Sequence, residues 1–250
     1  MSRSATPEVY IAMVVIAALI VSGGCAAARR RPGRWTLVAS RALAVVLAAK
    51  GALWIYTTLR GGPWTVRPGL PLSLCDMAVF IAAAACWWRV PLLVEVVYFW
   101  GLAGVLQAIL TPELPDSFPH LLFIQYTTGH LAVVAAALHL VAGLRIVPRQ
   151  GAMIKVFGMT AGYTVAVGIV DWVAGANYMF LRHPPHTWSL LSILGPWPWY
   201  LLTASAVALA FFLLLDAPFW AGRHGRSRST LREGRQPLSE MDSHGGEDNS

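Results

Sequence analysis

The chain has 250 residues, of which 56% are hydrophobic and only 12% are charged. A soluble domain carries roughly twice that charged fraction, so this composition excludes a soluble enzyme or binding domain and predicts an integral membrane protein. The net charge of +7 does not indicate nucleic-acid binding, because basic residues collect in the cytoplasmic loops of membrane proteins. The apolar runs are continuous rather than alternating, which predicts an all-α membrane bundle and not a β-barrel.

Seven apolar segments are each predicted to form a transmembrane helix, since about 20 apolar residues cross a bilayer. In chain order they are 9–28, 35–59, 72–88, 92–110, 121–144, 154–175 and 197–215. Only Arg89, Val90 and Pro91 separate the third segment from the fourth, which predicts a tight helical hairpin. Residues 1–221 are therefore predicted to form one seven-span domain.

The two ends of the chain carry further signals. Arg29, Arg30 and Arg31 directly follow the first segment. Such a basic cluster opposes translocation, so the segment is predicted to be an uncleaved span rather than a signal peptide. From Gly222 onward the sequence is rich in Arg, Ser, Glu and Gly without apolar periodicity. Residues 222–250 are therefore predicted to form a disordered cytoplasmic tail.

The division of Lys and Arg between alternate connections predicts the orientation in the membrane. One side would hold Arg29, Arg30, Arg31, Arg34, Arg89, Arg145, Arg149, Lys155 and the arginines of the tail. The other side would hold only Arg3, Arg60, Arg67 and Arg182. We therefore expect a multi-pass protein of the cell membrane with its N-terminus outside and its C-terminus in the cytoplasm.

Polar side chains inside the spans are the candidate functional residues, because such groups are costly in hydrocarbon. The stretch 70–80 places Cys75 and Asp76 together at the start of the third segment. At a rise of about 1.5 Å per residue, the residues predicted in the outer half of the membrane are Lys50, Cys75, Asp76, Gln107, Gln125 and Asp171, with His130 near the centre and Asn177 and Tyr178 just beyond the sixth span. This shared depth predicts a common site.

A cysteine and a histidine within reach of each other would suit nucleophilic catalysis. His130 would accept the proton of the Cys75 thiol, and Asp76 or Asp171 would orient the imidazole. Lys50 would stabilise an oxyanion. A site that opens to lipid would favour acyl transfer over hydrolysis.

Each of these residues also has a purely structural interpretation. Cys75 would then be a small buried hydrophobic residue. His130 would donate a hydrogen bond to a neighbouring helix. Lys50 would form a structural ion pair with Asp76 or with Asp171.

The remaining polar candidates have two interpretations as well. Gln107 is a second candidate for stabilising an oxyanion, but Gln107 and Gln125 would alternatively join helices by hydrogen bonds. Arg182, on a predicted outer loop beside Asn177, would bind a lipid phosphate or anchor the loop at the membrane interface. The three cysteines lack the spacing of a zinc site and no nucleotide motif is present, so neither a metal nor a cofactor is predicted.

Short blocks of sequence follow one another from the third segment to the seventh. They are Leu-Pro-Leu-Ser-Leu-Cys-Asp at 70–76, Tyr-Phe-Trp-Gly-Leu-Ala-Gly-Val-Leu-Gln-Ala at 98–108, Thr-Pro at 111–112, Phe-Pro-His at 118–120, Gln-Tyr-Thr-Thr-Gly-His at 125–130, Asn-Tyr-Met-Phe-Leu-Arg at 177–182 and Gly-Pro-Trp-Pro-Trp-Tyr at 195–200. In this order the chain resembles the YwaF-like bacterial integral membrane proteins, a branch of the transmembrane protein 164 family.

The resemblance implies a chemistry as well as a fold. Vertebrate members of the family are described as cysteine-dependent phospholipid acyltransferases, which use a cysteine in a span and a downstream histidine. The matching positions here are Cys75 and His130, and the implied partners are membrane lipids. Bacterial relatives often carry histidine where this chain has Ser73.

The alternative function is not enzymatic. In a transporter or a small-ligand-binding membrane protein, Lys50, Asp76, His130 and Asp171 would form a proton or ion relay. A structural membrane partner without a site of its own is a third possibility. Replacement of the Cys75 thiol would disable the enzyme and spare the relay.

Overall fold

The computed structural model describes residues 5–60, 69–114, 116–184 and 193–233. Over these residues the chain forms seven helices and no strand, which confirms the predicted all-α membrane fold. The helices are α1 (Ala5–Arg30), α2 (Arg34–Arg60), α3 (Leu74–Trp88), α4 (Pro91–Leu110), α5 (Leu121–Gly143), α6 (Ala152–Ala174) and α7 (Trp199–Glu233). A 3-10 turn, Tyr178–Phe180, follows α6.

Six of these seven described helices are long and apolar enough to cross a membrane, and α3 is the shorter one. Its 15 residues cover about 22 Å at the rise of an α-helix, against about 30 Å of hydrocarbon. The sequence predicts this span from residue 72, but the helix begins at Leu74 because Ser73 is extended, with φ −62° and ψ 141°. Pro71 also lacks an amide donor for a first turn.

The short helix α3 lies in the centre of the bundle, where α2, α4 and α5 pack against it. Its buried positions are mostly small residues, including Ala78, Ala82 and Ala85, each 0% exposed. Small side chains let neighbouring helices approach closely in membrane proteins. Protein therefore surrounds α3, so its non-helical entry at 70–73 need not lie in lipid.

Helix α4 contains a π-helical segment, Trp100–Val105, in its middle. Two glycines in this segment allow close packing. A Cβ at Gly101 would lie 3.2 Å from the Cβ of Ala137 on α5, and one at Gly104 would lie 3.0 Å from Leu74 Cδ2 at the start of α3. The segment thus joins α4 to both neighbours, and π-helical segments are frequent at functional sites.

The outer surface of the bundle is apolar. Ile16, Leu19, Trp172, Val173 and Leu214 are all more than half exposed. In water such a surface would drive aggregation, whereas in a membrane it contacts acyl chains. The arrangement confirms the prediction of a multi-span membrane protein.

The connections of the bundle separate into two ends. Pro32, Arg89 and Arg145, from the connections α1–α2, α3–α4 and α5–α6, line one cavity. We call this the basic end and the opposite end, where α3 begins, the site end. The grouping agrees with the predicted segregation of basic residues, while the side of the membrane that each end faces remains a prediction.

The last helix differs from the prediction at its end. The seventh span is predicted to stop at residue 215 and a disordered tail to begin at 222, but α7 is helical through Glu233. Pro218 lies inside it, and after that proline no further proline is present before 237 to interrupt the helix. The rest of the predicted tail, 234–250, lies outside the described residues.

Candidate functional site

A cavity of about 480 Å³ lies at the site end between α3, α4, α5 and α7. This volume is within the range of small-molecule sites, about 300–1,000 Å³. Its polar lining includes Ser73, Cys75, Asp76, Gln107, Tyr126 and His130. The fold thus brings four residues that the sequence predicts to share a site, the cysteine, the adjacent aspartate, one glutamine and the histidine, to one cavity.

One wall of this cavity is apolar. Helix α7 contributes Ala204, Val207, Ala208 and Phe211, and Phe180 of the 3-10 turn lies beside them. A cavity with a few polar groups on one side and an apolar wall on the other is typical of sites for partly apolar ligands.

Hydrogen bonds from α6 and the loop after it hold the segment that precedes Cys75. Tyr163 donates its hydroxyl to the Leu72 carbonyl oxygen at 2.9 Å. The Leu70 backbone N–H donates to the Tyr178 hydroxyl at 3.0 Å. These bonds satisfy backbone groups that a non-helical segment leaves free. They also fix the first turn of α3, on which Cys75 stands half-buried.

His130 has a defined tautomer because of its hydrogen bond. Its Nδ1 lies 2.7 Å from the carbonyl oxygen of Tyr126, one turn earlier on α5. A carbonyl oxygen only accepts, so Nδ1 carries the proton and Nε2 of the neutral ring keeps its lone pair. The Tyr126 ring lies against the imidazole, with 4.2 Å between the centroids. Nε2 is therefore the nitrogen able to act as a base.

The group that orients His130 differs from the prediction. The sequence assigns this role to Asp76 or Asp171, but the backbone carbonyl of Tyr126 takes the Nδ1 proton. The reason is local, because a histidine on a helix can reach the carbonyl four residues before it. Neither carboxylate is needed to hold the ring.

Asp76 instead pairs with Lys50. The distance from Lys50 Nζ to Asp76 Oδ1 is 3.5 Å, and the two side chains are 15% and 28% exposed. Lys50 reaches α3 from α2 by passing over Gly129, where a Cβ would lie only 2.7 Å from Lys50 Cε. Pairing offsets part of the cost of burying both charges. A cation and an anion thus stand directly beside Cys75.

Asp171, in the last turn of α6, forms a separate cluster with Asn177 and Arg182 of the loop after it. Asp171 is 0% exposed, and its Oδ1 accepts a hydrogen bond from the Tyr178 backbone N–H at 2.8 Å. Asn177 Oδ1 accepts one from the Arg182 backbone N–H at 2.9 Å. Arg182 Nη1 lies 3.4 Å from the carbonyl oxygens of Asp171 and Ala176. This cluster does not line the cavity and touches the site through Tyr178.

Gln125 also lies away from the cavity, although it is on the same helix as His130. Its side chain is buried at 6% exposure. Among the described residues its Nε2 has no hydrogen-bond partner. The part of the chain that the structure describes also holds no cluster of three His, Cys, Asp or Glu side chains able to bind a metal ion.

The family of the protein follows from a comparison of the whole chain. A model of the TMEM164 family matches residues 1–216. The chain belongs to the TMEM164 family. Comparisons with curated proteins and with solved structures give no match. The predicted relationship is therefore confirmed at the level of this family, while membership of its YwaF-like branch stays a prediction.

In this TMEM164 family member, Ser73 lies at the candidate site. It is the residue before α3 and lines the same cavity as Cys75 and His130. Its hydroxyl makes no capping hydrogen bond to the helix. A histidine at this position would therefore place a second imidazole at the cavity.

Sequence reasoning missed several residues that build the site of this TMEM164 protein. Tyr126 stands four residues before His130, a spacing that places both on one face of a helix and could have indicated their contact. Tyr163 acts through its hydroxyl on the Leu72 carbonyl, far away in sequence. Tyr178 is predicted near the site, but its bond with the Leu70 N–H is just as distant in sequence. No local pattern indicates such bonds. The role of Gly129 likewise depends on a side chain from another helix.

Proposed function

We propose that this TMEM164 family protein transfers acyl groups between membrane lipids through a thioester on Cys75, with His130 as the general base. The observation that carries the proposal is that both side chains line one cavity and that the His130 Nε2 lone pair is free because Nδ1 is bonded to Tyr126. The apolar wall from α7 would hold the acyl chain. The proposal places the protein in the cell membrane with the site end outside.

In the first half-reaction, Cys75 Sγ attacks the carbonyl carbon of a donor ester while His130 Nε2 takes the thiol proton. The tetrahedral intermediate collapses, the ester C–O bond breaks, and the imidazolium returns the proton to the leaving lysolipid oxygen. In the second, an acceptor hydroxyl gives its proton to Nε2 and attacks the thioester carbonyl. Cys75 Sγ leaves and regains the proton, so the cycle needs no oxidant or reductant.

Three further side chains have assigned roles in this proposal. The Gln107 amide lines the cavity and would donate to the oxyanion of each tetrahedral intermediate. Lys50, paired with Asp76 at 3.5 Å, would add a positive charge that favours the thiolate of the neighbouring Cys75. Asp76 would hold Lys50 in place.

The decisive test is mass spectrometry of the intact protein purified in phospholipid nanodiscs. We expect an acyl adduct on wild type that hydroxylamine removes and that maps to Cys75. The variant Cys75→Ser should lack it, whereas the matched control Cys25→Ser should keep it, because Cys25 contacts the Leu138 carbonyl at the far end of α5. An adduct retained in Cys75→Ser, or none with any phospholipid donor, would exclude the thioester mechanism.

The ion pair favours a second candidate function. Lys50 and Asp76 lie beside a cavity that also exposes His130, which is the arrangement of a proton or ion relay. Asp171 is tied to the loop after α6, so such a relay would run through the other three groups. In proteoliposomes with an internal pH dye, Lys50→Met should then abolish proton movement and Cys75→Ser should leave it intact.

A further inference from the structure

A second cavity, of about 330 Å³, lies at the basic end of the bundle. Arg29 at the end of α1, Arg89 after α3 and Arg145 after α5 line it together. None of the described residues that line it is acidic. Three arginines, one from the end of α1 and two from connections, thus line one cavity, and no carboxylate of the described residues lines it with them.

The backbone keeps two of these arginines in an unusual conformation. Arg89 has φ 54° and Arg145 has φ 58°, the left-handed region that favours glycine and is strained for other residues. The Arg89 N–H closes the last turn of α3 on the Ala85 carbonyl oxygen. Glycine would adopt this conformation at both turns without strain. Both positions instead carry arginine, which suggests that the long cationic side chain has a function there.

Arg89 has donors without partners. Its Nε and Nη2 are buried and make no hydrogen bond within the described chain, which is costly for a charged group. Arg149, on the same end, offers the contrast, because its Nε and Nη2 bind both oxygens of Glu95 at 2.7 and 2.9 Å. Arg29 is anchored over the cavity by a bond from its Nε to the Ala142 carbonyl oxygen.

We propose that this basic-end cavity binds a phosphate group. A guanidinium presents its N–H donors in a planar fork that matches the oxygens of a phosphate. A phosphate oxygen would give the unpaired Arg89 donors acceptors of opposite charge, and Arg29 and Arg145 would hold the remaining oxygens. The phosphate belongs either to an anionic lipid headgroup or to a free phosphate anion. This site is independent of the cavity at Cys75.

The test compares two probes on the full-length protein. One is phosphatidate added to phosphatidylcholine nanodiscs, and the other is inorganic phosphate in an uncharged detergent, with binding followed by native mass spectrometry and thermal shift. The variants are Arg89→Gln and Arg145→Gln, which keep a non-glycine residue at each left-handed position. The matched control is Arg30→Gln, which removes the same charge from an exposed residue outside the cavity.

We expect each cavity variant to bind at least one probe roughly tenfold more weakly than wild type, with Arg30→Gln near wild type. Binding of phosphatidate alone assigns the site to a lipid headgroup, and binding of inorganic phosphate assigns it to a free anion. Because a variant could misfold, hydrogen exchange on wild type supplies a second readout, in which the probe should protect residues 143–146. The proposal is wrong if neither probe binds wild type, or if the cavity variants bind like Arg30→Gln.

Discussion

Gly129 is the residue that makes room on α5 for the Lys50 side chain, which reaches the candidate site from the neighbouring helix α2. Lys50 crosses α5 at this glycine before it meets Asp76 on α3. Because His130 follows Gly129 directly, the space left by a missing Cβ sets the position of the cation relative to the proposed base. The arrangement of charge at the cavity therefore depends on a residue with no side chain.

Replacement of Gly129 by alanine should displace Lys50. The new Cβ would lie 2.7 Å from Lys50 Cε, so the ion pair with Asp76 would lengthen or break. Because the atom met is near the end of a flexible side chain, the loss of stability should lie at the low end for overpacking, about 1 kcal/mol, which lowers Tm by about 2–4 °C in a chain of this size. Thermal unfolding in detergent and the yield of the Cys75 adduct measure the two consequences.

Gly158→Ala is the matched control for this substitution. Gly158 also lies inside a helix, α6, but nothing stands within 4 Å of a Cβ there. Alanine should be neutral or slightly stabilising at this position, since it is the better helix former. If Gly129→Ala unfolds at the same temperature as Gly158→Ala and forms the adduct equally well, the proposed role of Gly129 is incorrect.

At the scale of elements, the candidate site depends on a break before α3. In a continuous helix from residue 72, Ser73 would be helical instead of extended, so the chain before Cys75 would enter the bundle in another direction. Pro71 and the extended Ser73 delay the helix to Leu74. Two tyrosine hydroxyls then tie the break to α6 and to the loop after it.

Tyr178→Phe tests this support of the α3 entry. It removes the acceptor of the Leu70 N–H and leaves the aromatic ring in place, so we expect a loss of about 0.5–1.5 kcal/mol of stability. Amide exchange at 70–73 should accelerate, because local opening of the segment becomes easier. The Cys75 adduct should also form more slowly.

The control for this change is Tyr56→Phe. Tyr56 lies on α2, is 54% exposed, and its hydroxyl has no hydrogen bond to the described residues. Its variant should match wild type in exchange at 70–73. Equal exchange in Tyr178→Phe and wild type would show that the tyrosine does not hold the segment.

What the sequence predicts well is the set of elements, since continuous apolar runs mark membrane helices directly. Shared depth along the helices also pointed to Cys75, Gln107 and His130, which do line one cavity. However, the depth of a residue does not tell which way its side chain faces around the helix axis. Asp171 and Gln125 are predicted at the same depth and still lie away from the cavity, because their helices turn them toward the loop after α6 and into the protein interior.

At the scale of the whole molecule, the helices run alternately between the site end and the basic end. Helix α1 begins at the site end, where Tyr10 donates to the Ile109 carbonyl oxygen at 2.8 Å, and ends at the basic end with Arg29 against Ala142. Short as it is, α3 also runs from the site end to Arg89. Helix α3 therefore connects the two ends of the bundle, as the longer helices do.

Helix α7 completes this alternation and yields a prediction for the orientation. It begins at the site end, where the Tyr200 hydroxyl donates to the Phe180 carbonyl oxygen. Further along α7, the Leu215 carbonyl oxygen accepts a hydrogen bond from the hydroxyl of Tyr98, in the first half of α4. Helix α1 thus begins at the site end and α7 runs from there toward the basic end. Because basic connections stay in the cytoplasm, a green fluorescent protein fused after Ser250 should fluoresce and alkaline phosphatase fused there should be inactive. An active phosphatase with a dark fluorescent protein, at equal expression, would reverse the orientation and place the Cys75 cavity in the inner half of the membrane.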